Sequence, residues 1–444
     1  MNFDQALSYL LSLGHETLTI KLGLTNTETL LRALGDPQKQ FPAVQIAGTN
    51  GKGSVAVMLD SICRAAGIRT GIYTSPHLVS ITERISIDGN PISESDFARL
   101  TARVKQTAEE LVKQGKLMAL PTFFEHVTAI ALLAFREARV ELAILETGLG
   151  GRLDSTTAAK ADIVAITPIA MDHEEYLGHS LAEIAAEKAA IIRPGVTAIV
   201  GRQEKAALDV ISRRCETVGV EPRVVYESSL CTASADGRCV VTLSTSGNEY
   251  EKVQLGLRGR HQIVNASIVF GLTEALRETG FDITPEATIN GLESAAHPGR
   301  LEIWDGKPRM LFDGAHNPAA AAALRDYLDE FVNGPITMVF GAMRDKALDK
   351  MTAILIPKAD ELILTSLDNP RAANIEMLIA AAPATFDASR VRRASSVQEA
   401  LRLAKGVTPA DGLICVTGSL YLVGAVQEIL RGESQGVAHQ RVAH

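Results

Sequence analysis

The 444-residue sequence has few cysteines, no long apolar run and no block of basic residues. Its five cysteines are scattered, odd in number and without a Cys-x-x-Cys pair, which argues against a disulfide framework and against a structural zinc site. No segment approaches the roughly 20 apolar residues of a membrane span. The start, Met1-Asn2-Phe3-Asp4, lacks the basic and apolar regions of a signal peptide. We therefore expect a cytoplasmic protein that does not insert into a membrane.

Charge and size narrow the class further. Lysine and arginine number 44 against 52 aspartate and glutamate, so the net charge is −8, and basic residues run together only in pairs such as Arg213-Arg214. Because non-specific nucleic-acid binding depends on phosphate neutralisation, we expect no nucleic-acid partner. Hydrophobic residues make up 46% of the chain, and 444 residues exceed one ordinary core. The composition predicts a globular protein of two or three domains.

Apolar segments typical of strands alternate with helix-like segments over the first 200 residues. This alternation predicts an α/β domain with a mostly parallel sheet and helices on both faces, the architecture of P-loop-type ATPase domains. Between 222 and 257, three short β-prone runs follow one another without a helix and predict a small antiparallel appendage or a sheet edge. The predicted strands of the first part are 43–47, 68–74, 140–146, 161–167 and 196–200.

The alternation of strands and helices begins again after His297. We place a domain boundary there, which divides the chain into an ATP-binding domain, 1–296, and a C-terminal domain, 297–444. The second part is predicted to be a smaller Rossmann-like α/β domain. Its predicted strands are 311–312, 336–340, 361–365 and 413–417, with an Ala-rich helix at 317–331.

The stretch most indicative of function is Ala47-Gly48-Thr49-Asn50-Gly51-Lys52-Gly53-Ser54. Its glycines allow the backbone to approach a ligand closely, and the helix that follows presents free N–H groups to an anion. Lys52 adds a positive charge, and Ser54 adds a hydroxyl that could reach a metal ion. These features predict a phosphate-binding loop, although the spacing differs from the usual Gly-x-x-x-x-Gly-Lys-Ser/Thr form. The alternative is a glycine-rich turn with an incidental lysine.

Ser75, Glu146 and His173 stand at or just beyond the ends of predicted strands. In a parallel sheet the carboxyl ends of the strands share one edge, where ligands bind. A hydroxyl, a carboxylate and an imidazole beside a phosphate loop favour magnesium with ATP. Taken singly, Glu146 could be an ion-pair partner and His173 a structural histidine, so the interpretation depends on their joint position.

Lys188 lies on the apolar face of a predicted helix. Ser180 and Glu183 form a capping box at its start, and the helix is predicted to run to Arg193. By its spacing, Lys188 shares a face with Ile184. A lysine held there must find an anion, have a lowered pKa or be chemically modified. The alternative is a surface lysine whose stem covers apolar neighbours.

A second set of polar residues belongs to the C-terminal part. The run Asp313-Gly314-Ala315-His316-Asn317-Pro318 follows a predicted strand, and Arg300 lies at the domain junction. Asn317 can be explained as the cap of the next helix. An arginine at a hinge and an aspartate at a strand end suit the phosphate and ribose of a nucleotide.

With these motifs the chain resembles the folylpolyglutamate synthase/dihydrofolate synthase family, a branch of the Mur ligase superfamily, almost from end to end. One departure is His297, which stands where an aromatic residue often precedes Pro298-Gly299-Arg300. Besides the phosphate loop, the motifs that carry the resemblance are Thr-Ser-Pro-His-Leu (74–78), Thr-Phe-Phe-Glu (122–125), Gly-Leu-Gly-Gly-Arg-Leu-Asp (148–154), Met-Asp-His (171–173), Glu-Lys-Ala (187–189), His-Gln (261–262) with Asn265, Pro-Gly-Arg (298–300), Asp-Gly-Ala-His-Asn-Pro (313–318), Asp-Lys (345–346) and Thr-Gly-Ser-Leu-Tyr (417–421).

The resemblance implies an ATP-dependent carbon–nitrogen ligase of folate biosynthesis and polyglutamylation. Such an enzyme activates the carboxylate of dihydropteroate or a reduced folate as an acyl phosphate, which the amino group of L-glutamate attacks to form an amide. ATP, two magnesium ions and hinge closure about residues 295–301 are implied with it. We expect only small-molecule partners and a monomer.

The resemblance also assigns roles to residues. It implies that Lys52, His173 and a carbamylated Lys188 are catalytic. The implied nucleotide-binding residues are Gly48, Thr49, Asn50, Gly51, Lys52, Gly53, Ser54, Asn265, Arg300, Asp313 and His316. The implied metal ligands are Ser54, Ser75, Glu146, His173 and Lys188, and the implied pterin pocket comprises the loop 22–25, Thr122, Phe123, Phe124, Glu125, Leu153, Asp154 and Ser155.

Two other functions stay open. One is a Mur-type cell-wall amino-acid ligase that acts on a nucleotide-sugar peptide. The Gly51-Lys52-Gly53-Ser54 form, the Ser75-Pro76-His77 motif and the lack of an additional uridine-binding domain favour the folate branch. The other is a P-loop ATPase that performs no ligation, which would hydrolyse ATP without an amino-acid acceptor. The sequence does not distinguish addition of the first glutamate from extension of a polyglutamate.

Overall fold

The structure is a computed structural model that describes residues 1–14, 23–225, 228–244 and 249–442. Within these residues the first domain is built on an eight-stranded sheet of order β4-β3-β2-β5-β1-β6-β7-β8. The strands from β2 to β8 along this order are parallel, and β3 and β4 form an antiparallel edge. The strands are β1 Ala43–Ala47, β2 Thr70–Tyr73, β3 Ile85–Ile87, β4 Asn90–Pro91, β5 Leu142–Glu146, β6 Ile163–Ile166, β7 Thr197–Val200 and β8 Arg223–Val224.

Helices cover both faces of this sheet, because its central strands are apolar on both sides and are completely buried. One face packs against the helices Lys52–Ala65, His261–Glu278 and Pro285–Ser294. The other face packs against the amino-terminal helices and, beside β6 and β7, against the helices Leu181–Ala189 and Lys205–Val218. The helices are α1 Phe3–Ser12, α2 Thr25–Ala33, α3 Lys52–Ala65, α4 Glu94–Lys113, α5 Phe123–Ala138, α6 Glu174–Leu177, α7 Leu181–Ala189 and α8 Lys205–Val218, with short 3-10 turns at Pro37–Lys39, Ile81–Arg84 and Ser155–Ala159.

The predicted antiparallel appendage is confirmed as a three-stranded sheet of order β11-β10-β9. Alternate residues of β10, such as Cys239 and Val241, are buried against α9 in the main core. The first of the three predicted runs lies at a sheet edge rather than in the appendage, because Val224 pairs in parallel with β7 at the edge of the large sheet; Tyr226 lies outside the described residues. The elements are β9 Ser229–Ala233, β10 Arg238–Ser244, β11 Glu249–Arg258, α9 His261–Glu278 and α10 Pro285–Ser294.

The second domain has a six-stranded sheet of order β12-β13-β17-β14-β15-β16, in which only β12 is antiparallel to its neighbour. The predicted α/β architecture with a second, smaller domain is thus confirmed. The elements are β12 Glu302–Trp304, β13 Arg309–Asp313, α11 Pro318–Phe331, β14 Ile336–Phe340, α12 Leu348–Leu355, β15 Glu361–Thr365, α13 Ile375–Ala381, β16 Val391–Ala394, α14 Val397–Val407, β17 Leu413–Thr417 and α15 Leu420–Val442, with 3-10 turns at Ile356–Lys358 and Ala388–Arg390. The boundary near His297 stays a prediction.

The helix that carries Lys188 is shorter than predicted. It ends at Ala189 rather than Arg193, because the N–H groups of Ile191 and Ile192 bond back over three residues and tighten the chain into a turn. This turn places both isoleucines in the core with no exposed surface. In the part of the chain that the structure describes, no helix is both long and apolar enough to span a membrane.

Candidate active site

A cavity of 510 Å³ lies where the carboxyl ends of β1, β2, β5 and β6 face the second domain. It is the crevice in which ligands of open α/β sheets bind. Nearly all the residues predicted for catalysis, nucleotide, metal and pterin line it. These are Gly48, Thr49, Asn50, Gly51, Lys52, Gly53, Ser54, Ser75, Thr122, Phe124, Glu125, Glu146, Leu153, Asp154, Ser155, His173, Lys188, Asn265, Arg300, Asp313 and His316.

The phosphate loop connects β1 to α3. Gly51 precedes the helix in the left-handed region, with φ 88°, and a Cβ there would collide with the Asn265 amide. A Cβ at Gly48 would collide with the hydroxyl of Thr167, which is buried and has no hydrogen-bond partner among the described residues. The loop therefore packs too closely for side chains at these positions. The N–H groups of Thr49 and Asn50 donate to the Pro168 carbonyl at 3.1 and 3.2 Å, so the groups left for an anion are the first N–H groups of α3.

Two lysines converge on this loop, of which Lys188 is buried and Lys52 is half-buried. The Lys52 Nζ donates to the carbonyl oxygens of Gly48 at 3.2 Å and Thr49 at 3.1 Å, and the Lys188 Nζ donates to the same Gly48 carbonyl at 2.8 Å. Within the described ranges, neither Nζ has a carboxylate oxygen within 4.0 Å. Burial lowers the pKa of Lys52, and burial together with the neighbouring Lys52 lowers the pKa of Lys188 to about 7. The pair is arranged to receive an anion.

Glu146 ends β5 opposite the loop and is 5% exposed. One of its oxygens accepts a hydrogen bond from the Ser75 backbone N–H at 3.1 Å. Burial raises the pKa of this carboxyl, although Lys52 acts in the opposite direction. Glu146 is thus a buried carboxylate whose charge its nearest protein neighbours do not fully compensate.

Asp172 lies six residues beyond the end of β6, and unlike Glu146 it has an ion-pair partner. Its Oδ1 is 2.6 Å from the Nζ of Lys346, which comes from the second domain, and both side chains are 8% exposed. Its Oδ2 accepts from the Asn317 amide at 3.1 Å. Burial acts to raise the pKa of Asp172, but the positive charges of neighbouring groups lower it well below its usual range. Asp172 therefore joins the two domains through a compensated charge.

Two histidines border this ion pair. His173 has a left-handed backbone with φ 51°, and burial lowers its pKa to about 3. The His316 Nδ1–H donates to the Gly314 carbonyl at 2.8 Å, and burial lowers the pKa of His316 to about 4. Both rings lie within 4.0 Å of Asp172. Because burial keeps both rings neutral near pH 7, these contacts are not ion pairs, and the rings can act as metal or hydrogen-bond ligands.

The second domain supplies Asp313 at the end of β13. Its two oxygens accept from the N–H groups of Leu301 at 2.9 Å and Ala315 at 3.0 Å, and burial raises its pKa. The guanidinium of Arg300 donates to the Gly314 carbonyl at 3.2 Å. Asp313 thus fixes the turn that presents Arg300 to the cavity, in addition to the nucleotide role that the sequence suggests.

Most residues of the predicted pterin pocket line the cavity, and their binding role stays a prediction. Phe124 lines the cavity, whereas Phe123 is 4% exposed, belongs to the core of the first domain and lies under the Arg84 guanidinium at 5.4 Å. Glu125 caps α5 by accepting from the Thr122 N–H at 2.7 Å. In the loop 22–25 only Gly23 reaches the cavity, and Leu22 lies outside the described residues.

Sequence reasoning assigned no site role to three residues that line the cavity, namely Asp172, Lys346 and Gln262. The Gln262 Nε2 donates to the Ser54 hydroxyl at 3.3 Å, and the Asn265 amide donates to the Gln262 oxygen at 2.8 Å. The motifs Met-Asp-His, Asp-Lys and His-Gln contain these residues. Nothing local, however, indicates which member of each motif points into the cavity.

Magnesium can be tested against this donor set. No group of three His, Cys, Asp or Glu side chains suited to a metal occurs among the described residues. Magnesium nevertheless prefers oxygen ligands and commonly uses one carboxylate, waters and substrate phosphates. The hydroxyl of Ser54, Ser75 and the buried carboxylate of Glu146 line the same cavity as the phosphate loop. These residues therefore fit a magnesium ion bound together with a nucleotide.

Family models match most of the chain. Residues 46–273 match the Mur ligase middle domain, and residues 299–420 match the glutamate ligase domain of Mur ligases. The fold and the phosphate-loop cavity therefore define a Mur ligase.

Curated and solved relatives refine this class. The chain is 35% identical over 443 residues to the dihydrofolate synthase/folylpolyglutamate synthase of Mycobacterium tuberculosis, covering 93% of this chain and 91% of the relative. The M. tuberculosis folylpolyglutamate synthase complexed with ADP superposes with a TM-score of 0.90 at 34% identity, covering 96% and 98% of the two chains. A bifunctional folylpolyglutamate synthase/dihydrofolate synthase with Mn, AMPPNP and L-glutamate bound gives 0.84 at 29% identity, covering 97% and 98%. The chain belongs to the dihydrofolate synthase/folylpolyglutamate synthase family and is an ATP-dependent ligase of folate metabolism.

Proposed function

We propose that this protein joins L-glutamate to dihydropteroate, to reduced folates, or to both, through an acyl phosphate formed at the expense of ATP. The observation that carries the proposal is that a phosphate loop with two lysines that lack an ion-pair partner among the described residues opens into the same cavity as the predicted pterin pocket and residues of the glutamate ligase domain. A solved relative with AMPPNP and L-glutamate bound supports the same combination of ligands.

The chemistry has two steps. A carboxylate oxygen of the pterin substrate attacks the γ-phosphorus of ATP, the bond to the bridging oxygen breaks, and ADP leaves. The amine nitrogen of glutamate then attacks the acyl carbon, phosphate leaves with the oxygen that came from the substrate, and the amine loses a proton. Both steps bring anions together, so positioning and charge neutralisation suffice without a protein nucleophile.

Lys52 and the N-terminus of α3 neutralise the phosphates in this proposal. Ser54, Ser75 and Glu146 would hold one magnesium ion, and His173 with a carbamylated Lys188 would hold a second. Bound magnesium would neutralise charge on the transferred phosphoryl group. Asn265, Arg300, Asp313 and His316 would contact the nucleotide from the side of α9 and the second domain.

A carbamate explains the position of Lys188. Its Nζ is fully enclosed beside Lys52, and burial has lowered its pKa to about 7, so a neutral amine is available near physiological pH. That amine adds to CO₂ with loss of a proton and becomes an anion. The change converts a buried like-charge pair of Lys52 and Lys188 into an attractive one.

The pterin would lie against Thr122, Phe124 and Glu125, with Leu153, Asp154 and Ser155 on the other side. Asp154 shapes this wall, because one oxygen accepts from the N–H groups of Gly148 and Leu149, each at 2.9 Å. Phe123 is excluded from this set by its place in the core. The aromatic ring of Phe124 offers a stacking surface for a planar ring.

The test is phosphate release measured with dihydropteroate, with a reduced folate, and with neither. We expect release to require both L-glutamate and one pterin substrate, and we expect the mass of the product to rise by one glutamyl residue. ATP hydrolysis that ignores glutamate would support the non-ligase ATPase instead. A requirement for a nucleotide-sugar peptide would support the cell-wall ligase. Comparison of the two pterin substrates distinguishes first addition from extension.

A further inference from the structure

The residue at which this chain departs from the usual pattern of its family contacts the phosphate loop. His297 precedes Pro298-Gly299-Arg300, and its Nδ1 lies 3.3 Å from the hydroxyl oxygen of Ser54. A Cβ at Gly53 would come within 2.8 Å of the Cε1 of His297 and within 3.5 Å of a Glu146 oxygen. The imidazole and the Glu146 carboxylate thus flank Gly53, which explains why a glycine separates Lys52 from Ser54.

The direction of the hydrogen bond from Gln262 to Ser54 follows from a chain of amides. The Asn265 Nδ2 donates to the Gln262 oxygen at 2.8 Å, so the Gln262 Nε2 is the group that faces Ser54. That Nε2 can only donate, and it lies 3.3 Å from the Ser54 oxygen. One lone pair of Ser54 is therefore occupied, and the tautomer of His297 that carries its proton on Nε2 has an Nδ1 lone pair that can accept the Ser54 proton.

A hydroxyl oxygen has one proton and two lone pairs. Gln262 takes one lone pair and His297 takes the proton, so one lone pair of Ser54 is left for another partner. The residues around it are nearly closed to water, since Ser54, Gln262 and Asn265 are 5%, 1% and 3% exposed. Ser54 lines the cavity together with Glu146, the carboxylate proposed for the same ion.

We infer that His297 is a positioning residue for the metal: it accepts the Ser54 proton and thereby aims the remaining Ser54 lone pair at the magnesium ion of the nucleotide. The inference rests on the proposed function, which makes Ser54 a magnesium ligand. A phenylalanine at this position keeps a ring against Gly53 but offers no acceptor. In this chain the hydroxyl is therefore oriented by a hydrogen bond, and partners of metal ligands typically change metal affinity 10–100-fold when removed.

The experiment titrates Mn²⁺ and Mg²⁺ into the full-length protein saturated with ADP, by isothermal calorimetry and by the electron paramagnetic resonance of free Mn²⁺. His297→Phe should weaken metal affinity about tenfold and leave the affinity for metal-free ADP unchanged. His297→Asn, whose side-chain oxygen can accept at the position of Nδ1, should restore affinity to within about threefold. His179→Phe, an exposed residue outside the cavity, is the control and should change nothing.

The decisive comparison is the double variant. In a Ser54→Ala background, His297→Phe should cause no further loss, because the hydroxyl that it orients is gone. An additive loss, or wild-type metal affinity in His297→Phe while Ser54→Ala is impaired, would overturn the inference and leave the proposed function intact. Unimpaired metal affinity in Ser54→Ala itself would overturn the metal assignment of the proposed function, and this inference with it.

Discussion

Two regions of the cavity treat buried charge in opposite ways. On the phosphate-loop side, Lys188 and Glu146 are buried and Lys52 is half-buried, and none of the three has an ion-pair partner within 4.0 Å among the described residues. On the domain-interface side, Asp172 and Lys346 are buried to the same degree but form an ion pair at 2.6 Å. Both regions lie within one cavity and use the same kinds of side chain.

The difference indicates what each region is for. A buried charge without a partner costs folding free energy, and such a cost is typical of a site that a ligand completes. A buried charge with a partner does not need a ligand to compensate it, and the pair fixes the relative position of the two segments that carry it. We therefore interpret the phosphate-loop side as the binding and catalytic region, and the Asp172–Lys346 pair as the contact that sets the closed arrangement of the domains.

Removal of Lys188 should have the largest effect. Lys188→Ala deletes the buried amine and with it the carbamate proposed to hold a magnesium ion, so we expect ligation to fall at least about 10³-fold. Short carboxylates such as formate should restore part of the activity, because they can take the place of the carbamate. The matched control is Lys205→Ala on the exposed start of α8, which should retain wild-type activity. Unchanged activity in Lys188→Ala would reject its role.

Loss of the metal ligands should come next. Glu146→Gln and His173→Ala remove groups proposed for the two magnesium ions, and we expect the turnover number to fall about 10²- to 10³-fold. Pterin affinity, measured by calorimetry without ATP, should change less than about twofold, since neither residue is in the pterin pocket. Wild-type kinetics in both variants would refute the metal assignment.

Loss of the Asp172–Lys346 ion pair should lower the free energy of unfolding. Asp172→Ala leaves Lys346 buried without its counter-charge, and we expect the free energy of unfolding to fall by about 2–3 kcal/mol. This value is at or below the low end of the range for fully buried pairs, because each side chain is 8% exposed. The double variant Asp172→Asn with Lys346→Met should recover most of that loss. Thermal and urea unfolding measure both. A double variant as unstable as the single one would show that the charges do not matter to the interface.

The smallest expected effect is a difference between Glu146 and Asp172 in how their contributions to the free energy of unfolding depend on pH. The raised pKa of Glu146 means that its ionised form costs stability at pH 7, so Glu146→Gln should stabilise the metal-free protein by about 1 kcal/mol. This gain should vanish as the pH falls and the carboxyl of the wild type becomes protonated.

Asp172 should behave in the opposite sense. Its pKa is lowered, so its contribution to stability is present above its unfolded pKa of about 4 and is lost only as the pH falls below that value. The penalty of Asp172→Asn should thus persist from pH 7 to about pH 4. Unfolding curves of Glu146→Gln and Asp172→Asn, recorded with EDTA at several pH values, test both expectations. Parallel pH profiles for the two variants would contradict the distinction between the regions.

Local patterns were sufficient for much of the fold and of the site. The phosphate loop, Glu146 at a strand end and Lys188 on an apolar stripe were predicted because each has a signature within a few residues. Phe123 was wrongly assigned to the pterin pocket, because Phe123 and Phe124 are adjacent residues of the same type. Only the packing of α5 decides which of the two rings faces the core.

Long-range partners had no such signature. The Asp172–Lys346 contact joins residues 174 positions apart, and the orientation of Gln262 towards Ser54 spans 208 positions. Both depend on how separate elements meet, which no local periodicity encodes. For the same reason the sequence left open whether Val224 joins the appendage or a sheet edge, because no local pattern shows which strand it pairs with. The monomeric state, the cytoplasmic location and the presence of two magnesium ions stay predictions.

The central claim is that the uncompensated charges of the phosphate loop serve an acyl-phosphate reaction. The most direct measurement uses dihydropteroate labelled with ¹⁸O in its carboxylate, with ATP and L-glutamate, and determines the isotopic mass of the released phosphate. The account predicts that each turnover transfers one ¹⁸O atom to phosphate, because the oxygen that attacks ATP leaves with it. Phosphate that carries no ¹⁸O, released at the same rate, would contradict the account.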